Sequence, residues 1–574
     1  MMAEIRRSRP STVSVRITAP TRRWAAPAWT PYALLALVAA AVYGQAFYGR
    51  GLDVPDEGLL LHVAERLAQG QVPYRDVYFI YTPGWQYLLA GVFRLFGPSL
   101  AVEHALLFTV HVALVLVVYG LAARLAWRPL AMAAALVVIA SGVSPYRTLM
   151  GLVTVAALTR YADTAPVRWL CATGLLVGAS YLVGQEIGVY TLGAALGYLA
   201  VDWLLRARWL DGSSRRASFV ATVRQAALLI AGTAIVILPW LAIIAAQGAL
   251  PAMLDDTLRV TFLHQPRYMH VALPTLWPLV PDDLSPNVVW GPRAYLLYVK
   301  LMLYLPLLTV AAATGVVGAR MLRIWGHART EQEAGRIAAG LLGAVALRGG
   351  ELAAVRRVLP LALFAALALG TLGFRADYYH LRQMLPVTLI LLAWLLSELR
   401  LAILDLGWSR WAAVAVLAPF AVMLAVNAGE AAVQRQQLAV PLETARGTVL
   451  VDGTTARDLG GLLHALDERT GPGDAIYVAP AETAIYFLAD RRDPTRFGQL
   501  VPTETEVLRE YDGARQRELI AAVDGAGVRW VVTANLDNVD GVPFATYAPL
   551  IARYLDERFE PEARYGYWTL QRRR

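Results

Sequence analysis

Residues 100–123 read LAVEHALLFTVHVALVLVVYGLAA and are apolar almost throughout. A membrane-spanning helix needs about 20 mostly apolar residues, so this stretch can cross a bilayer. Comparable runs recur along most of the chain, and spans are predicted near 30–48, 100–123, 129–143, 147–160, 168–183, 188–205, 225–247, 293–317, 358–373, 383–399 and 411–428. The sequence therefore predicts a polytopic α-helical membrane protein with about eleven transmembrane helices.

The overall composition excludes the common soluble classes. Of the 574 residues, 57% are hydrophobic and 17% are charged, against about 45–50% and about 25% in soluble domains. So few charges cannot cover the surface of a soluble multidomain enzyme of this length. The single cysteine, Cys171, can form no intrachain disulfide, which excludes a disulfide-stabilised secreted module.

Two apolar stretches are weaker span candidates than the others. Residues 147–160 are short for a span and begin at Arg147, whereas residues 338–347 are too short and are predicted to form a loop. The apolar run after Pro31 is long and lacks a small-residue cleavage site, so we expect an anchor there and no cleavable signal.

Basic residues predict the orientation, because loops rich in lysine and arginine stay on the cytoplasmic side. The N-terminal tail is rich in arginine, and the basic clusters at 206–224 and 320–357 fall on the same side of an eleven-span arrangement. We therefore expect a multi-pass protein of the bacterial cytoplasmic (inner) membrane. Its predicted parts are a cytoplasmic tail at 1–29, a transmembrane domain at 30–428 with long outer loops at 49–99 and 248–292, and an extracytoplasmic domain at 429–574.

The net charge of +9 is unevenly distributed. Residues 430–574 carry 17 arginines and 22 acidic residues, a net charge of −5, which leaves +14 for the rest of the chain. The basic excess therefore faces anionic membrane lipid, and we expect no nucleic-acid partner. Short apolar runs and helical spacing at 456–468 and 505–524 predict a small α/β domain in this C-terminal region.

The first outer loop contains a cluster of acids, Asp53-Val-Pro-Asp56-Glu57-Gly58, followed by an apolar stripe at helical spacing. The stripe predicts an amphipathic helix at 56–69 that lies on the membrane surface. An N-cap aspartate, a proline in the first turn and further acids also describe an ordinary helix start. The acids alone therefore leave a capping role and a catalytic role open.

Motifs in this loop follow one another in a fixed order, and further motifs lie in the C-terminal domain. They are Pro55-Asp56-Glu57-Gly58, Ala64-x-x-Leu67-x-x-Gly70-x-x-Pro73-Tyr74-x-Asp76, Pro83-Gly84 with Tyr87-Leu88-Leu89-Ala90, Phe93-x-Leu95-Phe96-Gly97-x-Ser99-Leu100, Gly473-Asp474-Ala475-Ile476-Tyr477-Val478, Tyr486-Phe487-Leu488 and Arg491-Arg492-x-Pro494-Thr495-Arg496. The set resembles the GT-C superfamily of membrane glycosyltransferases. Within it, the likeness is to the bacterial branch with the Rgt-type, protein O-mannosyl and lipid A aminoarabinose transferases.

The resemblance implies an enzyme that transfers a sugar from a polyprenyl-phosphate carrier to an extracytoplasmic lipid, glycan or protein. By resemblance Asp56 is the general base, and the reaction inverts the anomeric carbon. Glu57 either assists Asp56 or is only a charged residue in the first turn of the helix. The choice of base among Asp53, Asp56 and Glu57 stays open. Asp76 orients the loop, contacts a sugar hydroxyl, or caps the turn after Pro73.

Polar residues in two short outer turns are the remaining candidates for substrate binding. Glu186 interrupts apolar sequence and is either a second acid of the active cavity or a solvated turn residue. A second turn concentrates Arg375, Asp377, His380 and Arg382 between uncharged helices. Arginine binds phosphate through paired donors, so this turn is expected to contact the donor phosphate; snorkelling of the arginines is the alternative.

No metal or other cofactor is expected from the sequence. His264 and His270 have no third ligand at recognisable spacing. A membrane transporter or lipid-linked sugar flippase is the alternative function, although few ionisable residues lie at mid-membrane. A non-catalytic surface protein, and a metal-dependent polymerase or ligase that uses diphosphate-linked donors, also stay open.

Overall fold

The computed structural model describes residues 27–143, 145–207, 212–264, 271–273, 275–277, 293–333, 341–406, 409–501, 513–539 and 542–574. Helices make up the described chain as far as Gln437. They are α1 (Thr30–Ala46), α2 (Asp56–Ala68), α3 (Gly84–Phe96), α4 (Leu100–Leu125), α5 (Arg128–Ser141), α6 (Tyr146–Thr164), α7 (Val167–Val183), α8 (Gln185–Ala207), α9 (Gly212–Ala246), α10 (Leu250–Leu254), a π-helix (Asp255–His264), α11 (Arg293–Glu333), α12 (Leu341–Phe374), α13 (Tyr378–Asp405), α14 (Arg410–Val414), a 3₁₀ turn (Ala415–Leu417) and α15 (Ala418–Gln437).

The protein is a multi-pass membrane protein. Seven of the described helical segments are long and apolar enough to cross a membrane, and α1, α5 and α7 are shorter apolar helices. Each predicted span corresponds to a helix, so the prediction of a polytopic helical architecture is confirmed. The predicted amphipathic helix at 56–69 is α2, and α3 follows it in the same loop.

Helix α6 explains why the sequence signal at 147–160 is weak. Its Leu152, Val155 and Leu158 are buried in the core of the bundle, together with polar Thr154 and Thr159. Both threonine hydroxyls donate hydrogen bonds to backbone carbonyls of the preceding turn. A helix enclosed by other helices presents little surface to lipid, so it does not need a continuous apolar sequence.

One prediction of secondary structure is wrong. Residues 341–347 belong to α12, which begins at Leu341 and extends the predicted span at its N-terminal end. The apolar run is too short to span a membrane, but a helix can extend past its membrane-spanning part as long as its backbone hydrogen bonds continue. Residues 338–340 of the predicted loop lie outside the described residues.

The C-terminal region forms the predicted α/β domain. Its elements are β1 (Val440–Thr444), β2 (Gly447–Val451), α16 (Gly453–Arg469), β3 (Tyr477–Ala479), α17 (Ala484–Ala489), α18 (Ala514–Gly525), β4 (Trp530–Ala534), α19 (Phe544–Tyr547), α20 (Pro549–Arg558), β5 (Phe559–Tyr565) and β6 (Trp568–Arg573). Strands β1 and β2 form a hairpin. A mixed four-stranded sheet has the order β3-β4-β6-β5, with β3 parallel to β4 and the other pairs antiparallel.

This domain shares a hydrophobic core with the first loop. Leu61 of α2 and Phe93 of α3 are buried in one cluster with Leu462, Phe487 and other side chains of the C-terminal domain. Gly58 marks the closest approach, because a β-carbon built there would lie 2.3 Å from the backbone nitrogen of Ala484. Only glycine therefore allows α2 to dock against the domain at this depth.

We expect Gly58→Ala to destabilise the protein by about 1–3 kcal/mol, because the added methyl group must push α2 and α17 apart. Gly91→Ala in α3 is the matched control, since a β-carbon at Gly91 would meet nothing within 4 Å. Thermal unfolding midpoints of the purified full chain in detergent measure both effects. Equal midpoints for the two variants would contradict the docking described here.

Candidate functional site

The acids at the start of α2 differ in what their side chains do. The Asp53 carboxylate accepts a hydrogen bond from the Asp56 backbone N–H at 3.0 Å, as an N-cap does. The Glu57 carboxylate reaches back and accepts from the Asp53 N–H at 3.1 Å. Both groups thus close the first turn of the helix. Asp56 is exposed, and its carboxyl group takes no part in this capping arrangement.

The pKa of Asp53 is raised even though its carboxylate accepts this backbone hydrogen bond. Desolvation by the surrounding protein, and then the negative charge of Asp56, raise the pKa of Asp53 to about 6. The hydrogen bond from the Asp56 N–H opposes this rise only in part. Asp53 is therefore an acid held in place by the backbone, next to a second acid whose side chain faces solvent.

The charge of Asp56 acts on the phenol of Tyr81, which in turn contacts Arg147. Asp56 is close enough to Tyr81 that its charge contributes to the raised pKa of the phenol, which burial shifts to about 12. The guanidinium of Arg147 lies over the Tyr81 ring, 4.2 Å from the centroid. Its Nη1 donates to Oε1 of Glu186 at 3.1 Å. The charges of Asp56 and Glu186 thus both act on Tyr81, and we use the name Arg147 cleft for the group Asp56, Tyr81, Arg147 and Glu186.

The walls of the Arg147 cleft are fixed by contacts between the loop and the bundle. The Gln185 side chain accepts from the Thr82 N–H at 2.8 Å and donates to the Ile80 carbonyl, so it holds the segment that carries Tyr81. Trp85 stacks on Tyr146, with ring centroids 4.1 Å apart. At Gly84, a β-carbon would lie 2.4 Å from the Leu182 carbonyl oxygen, which accounts for the glycine of the Pro-Gly motif.

The predicted phosphate-binding turn forms a second, adjacent cluster. Asp377 caps α13 by accepting from the His380 N–H at 2.9 Å, and its carboxylate also contacts the His380 ring and Arg375 Nε at 2.8 and 2.6 Å. Although burial acts in the opposite direction, the hydrogen bonds and charge of His380 hold the pKa of Asp377 below its ordinary value. Arg382 donates to the Ser141 carbonyl at 2.9 Å.

The two clusters are neighbours because α13 packs beside the start of α6. The Thr148 hydroxyl donates to the Gln383 carbonyl at 2.8 Å. Thr148 follows Arg147 in the chain, and Gln383 follows Arg382. The first turns of α6 and α13 therefore place the arginines of both clusters on adjoining parts of the bundle.

Asp76 has a structural role in the loop between α2 and α3. Its carboxylate accepts from the Val72 N–H at 2.8 Å and from Arg75 at 2.8 and 2.9 Å. These hydrogen bonds from Arg75 lower the pKa of Asp76 although partial burial opposes them. The turn-capping alternative named above describes this geometry, and the structure shows no contact between Asp76 and the Arg147 cleft.

The arginine motif of the C-terminal domain also packs against this loop. Arg496 Nε donates to the Tyr74 carbonyl at 2.8 Å, and its Nη2 pairs with the buried Asp256. The Tyr78 N–H donates to the Arg496 carbonyl at 2.9 Å. The motif therefore joins the domain to the first loop and to the π-helix.

Sequence reasoning missed several residues that the structure places at or near the site. In the sequence, Arg147 stands out only as a charge at the start of a weak span, and Glu103 and His104 only interrupt an apolar run. Glu57 lies close to both of these residues at the start of α4. Ionisable residues inside apolar helices are costly and have partners, which is the signal that would have singled them out. The side chains of His264 and His270 lie outside the described residues.

Solved structures with a similar overall arrangement include a bacterial and an archaeal membrane protein. ArnT from Cupriavidus metallidurans bound to undecaprenyl phosphate is 14% identical, with a TM-score of 0.47 over 95% of this chain and 98% of that chain. The archaeal oligosaccharyltransferase AglB from Archaeoglobus fulgidus, in complex with an inhibitory peptide and a dolichol-phosphate, is 10% identical, with a TM-score of 0.42 over 93% and 72%.

ArnT in the apo state is 15% identical, with the same TM-score of 0.47 and the same coverage of 95% and 98%. No protein-family model matches the sequence, and no curated protein matches it.

Glu482 lies where the C-terminal domain meets the start of α2. Its carboxylate accepts from Trp568 Nε1 at 3.4 Å, and the next residue, Thr483, donates its hydroxyl to the Pro55 carbonyl at 3.4 Å. Burial raises the pKa of Glu482 to about 7. The hydrogen bond from Trp568 opposes this rise, and the negative charge of Asp53 adds to it. The folded protein thus holds a proton here that the unfolded chain releases near pH 4.5.

We expect the stability of the wild type to fall as pH rises from about 4.5 to about 7, because Glu482 must ionise in a buried place. Glu482→Gln removes this cost, so its unfolding midpoint should exceed that of the wild type at pH 8 and match it at pH 4.5. The exposed Glu557, changed to Gln, is the control and should show no such trend. A wild type–variant difference that is independent of pH would refute a raised pKa at Glu482.

Proposed function

We propose that the protein is an inverting glycosyltransferase of the GT-C type, which moves one sugar from a polyprenyl-phosphate carrier to an extracytoplasmic acceptor. The observation that carries the proposal is the Arg147 cleft. There an exposed carboxylate at a helix start acts through its charge on the Tyr81 phenol, and that aromatic ring and a second carboxylate hold a guanidinium in place. A base and a phosphate-binding cation in one cleft are the two groups that such a transfer requires.

Asp56 acts as the general base in this proposal. Its carboxyl group lies at the start of α2, where the Asp53 and Glu57 carboxylates close the first turn. The acceptor hydroxyl oxygen attacks the anomeric carbon while Asp56 takes the hydroxyl proton. The bond between the anomeric carbon and the phosphate oxygen breaks, and the leaving polyprenyl phosphate keeps the electron pair. A single displacement of this kind inverts the anomeric carbon.

The arginines stabilise the charge on the leaving phosphate. Arg147, held by Glu186, lies at the start of α6, Arg375, held by Asp377, directly precedes α13, and Arg382 lies in the first turns of α13. Oriented guanidinium groups bind phosphate through paired hydrogen bonds, and they act most strongly where negative charge develops. A phosphate leaving group that is matched by arginines requires no metal ion for bond cleavage, so we propose that none takes part in that step.

The location of both substrates follows from the predicted topology. With the N-terminus in the cytoplasm and the C-terminal domain outside, the Arg147 cleft opens at the outer surface of the bacterial cytoplasmic membrane. The polyprenyl chain stays in the lipid phase beside the bundle. The acceptor, whether lipid, glycan or protein, approaches from the side of the C-terminal domain.

We expect Asp56→Asn to lower kcat for sugar transfer by at least about 100-fold, since asparagine keeps the size of the side chain but cannot take a proton. The assay follows label from a panel of radiolabelled polyprenyl-phosphate sugars into a membrane acceptor extract. Asp53→Asn is the matched control, because asparagine caps a helix as well as aspartate does. The base assignment is wrong if both variants lose activity equally, or if Asp56→Asn keeps the wild-type rate.

Arg147→Gln should lower kcat/KM for the donor by at least about 10-fold, because a charge-assisted bond to the leaving phosphate is worth roughly 1.5–3 kcal/mol. Arg147→Lys keeps the positive charge and should retain more activity than Arg147→Gln. Unfolding midpoints of both variants separate a binding defect from a folding defect. Full activity of a well-folded Arg147→Gln variant would rule out the phosphate contact, and transfer only from diphosphate-linked donors would overturn the donor class.

A further inference from the structure

A second cluster of ionisable side chains lies behind the start of α2, on the first turn of α4. Nε2 of His104 is 3.7 Å from Oε1 of Glu57 and 3.6 Å from Oε2 of Glu103. One ligand atom from each residue can be chosen so that all three atoms lie within 4.8 Å of one another. The cluster joins α2, the helix that carries Asp56, to α4 of the helical bundle.

Two carboxylate oxygens of this cluster have no hydrogen-bond partner among the described residues. They are Oε2 of Glu103, whose residue exposes only 5% of its surface, and Oε1 of Glu57. A buried carboxylate oxygen without a partner costs several kcal/mol unless a charge compensates it. Both oxygens face the same imidazole nitrogen, so one cation between the three atoms would satisfy them together.

The distances fit metal ligation better than direct hydrogen bonding. An N–H···O bond joins atoms about 2.7–3.2 Å apart, which is shorter than both distances from the His104 nitrogen. Ligands about 2.1 Å from a tetrahedral zinc ion stand about 3.4 Å from one another. The observed distances of 3.6 and 3.7 Å are close to that spacing.

The geometry points to a divalent transition-metal site formed by Glu57, Glu103 and His104, with zinc as the best match. One imidazole nitrogen and two carboxylate oxygens are a ligand set that zinc accepts, with a fourth position left for water. The other oxygen of Glu57 already accepts from the Asp53 N–H, which orients the carboxylate toward the site. The ion ties the start of α2 to the start of α4 and does not contact the Asp56 carboxyl.

The test measures zinc binding directly and does not depend on sugar transfer. The purified full chain, without a histidine tag, is stripped with a chelator in detergent and dialysed against Zn²⁺, and bound metal is counted by mass spectrometry. We expect one tightly bound zinc ion per chain. Glu103→Gln and His104→Gln should each weaken binding at least about 10-fold, while both keep the wild-type elution volume in size-exclusion chromatography.

A surface pair provides the matched control. His464 and Glu468 lie one turn apart on α16, with Nε2 and Oε1 3.3 Å apart, and both side chains are well exposed. The His464→Ala/Glu468→Gln double variant removes this possible adventitious zinc site and should bind zinc as the wild type does. If zinc binding disappears in the double variant but persists in Glu103→Gln, the proposed site does not exist.

X-ray absorption at the zinc edge tests the site without any variant. The proposal requires one imidazole nitrogen and two or three oxygens at about 2.0–2.1 Å from the zinc ion. Two or more imidazole ligands, or no bound zinc in the wild type, would overturn it. In the latter case, a metal-free ion pair of a protonated His104 with the two carboxylates accounts for the cluster.

Discussion

The candidate site depends on a buried ion pair between α2 and the C-terminal domain. The side chain of Asp493 is fully buried, and it contacts His62 Nε2 at 3.3 Å and Arg66 Nη1 at 3.4 Å. Arg66 also donates to the Thr495 and Asp76 carbonyls, both at 2.8 Å, so one guanidinium joins three segments of the chain. Removing one partner of such a pair leaves a buried charge, which costs about 3–5 kcal/mol. The helix that carries Asp56 is therefore anchored to the C-terminal domain by a buried ion pair.

This attachment gives each contact at the start of α2 a physical role. Gly58 lets the domain approach the helix, Asp53 and Glu57 close its first turn, and Asp56 is the base that we propose. Groups that are positioned before substrate arrives reduce the cost of reorganisation during the reaction. In the proposed transfer, a helix that is fixed from two sides holds its base in position for the acceptor hydroxyl.

Local patterns in the sequence predict the helices well but not the contacts between them. The apolar stripe of α2 predicted a helix at 56–69, and the structure has it at Asp56–Ala68. Asp56 could be named because the ordered motifs around it resemble a known family, and Glu186 because an acid that interrupts apolar sequence is unusual. The pairing of Glu186 with Arg147, and of Asp493 with Arg66, joins residues on different helices. No spacing rule along the chain contains that information, and the length of an apolar run does not show where a helix such as α12 begins.

The configuration of the product tests the central claim most directly, because a single displacement with one base must invert the anomeric carbon. The measurement uses a donor of known anomeric configuration that the wild type accepts, and the configuration of the newly transferred sugar is read by NMR from its anomeric coupling constants. The account predicts the opposite configuration in the product. Retention would require a double displacement through a covalent intermediate, and it would contradict the role of Asp56 as the general base of a one-step transfer.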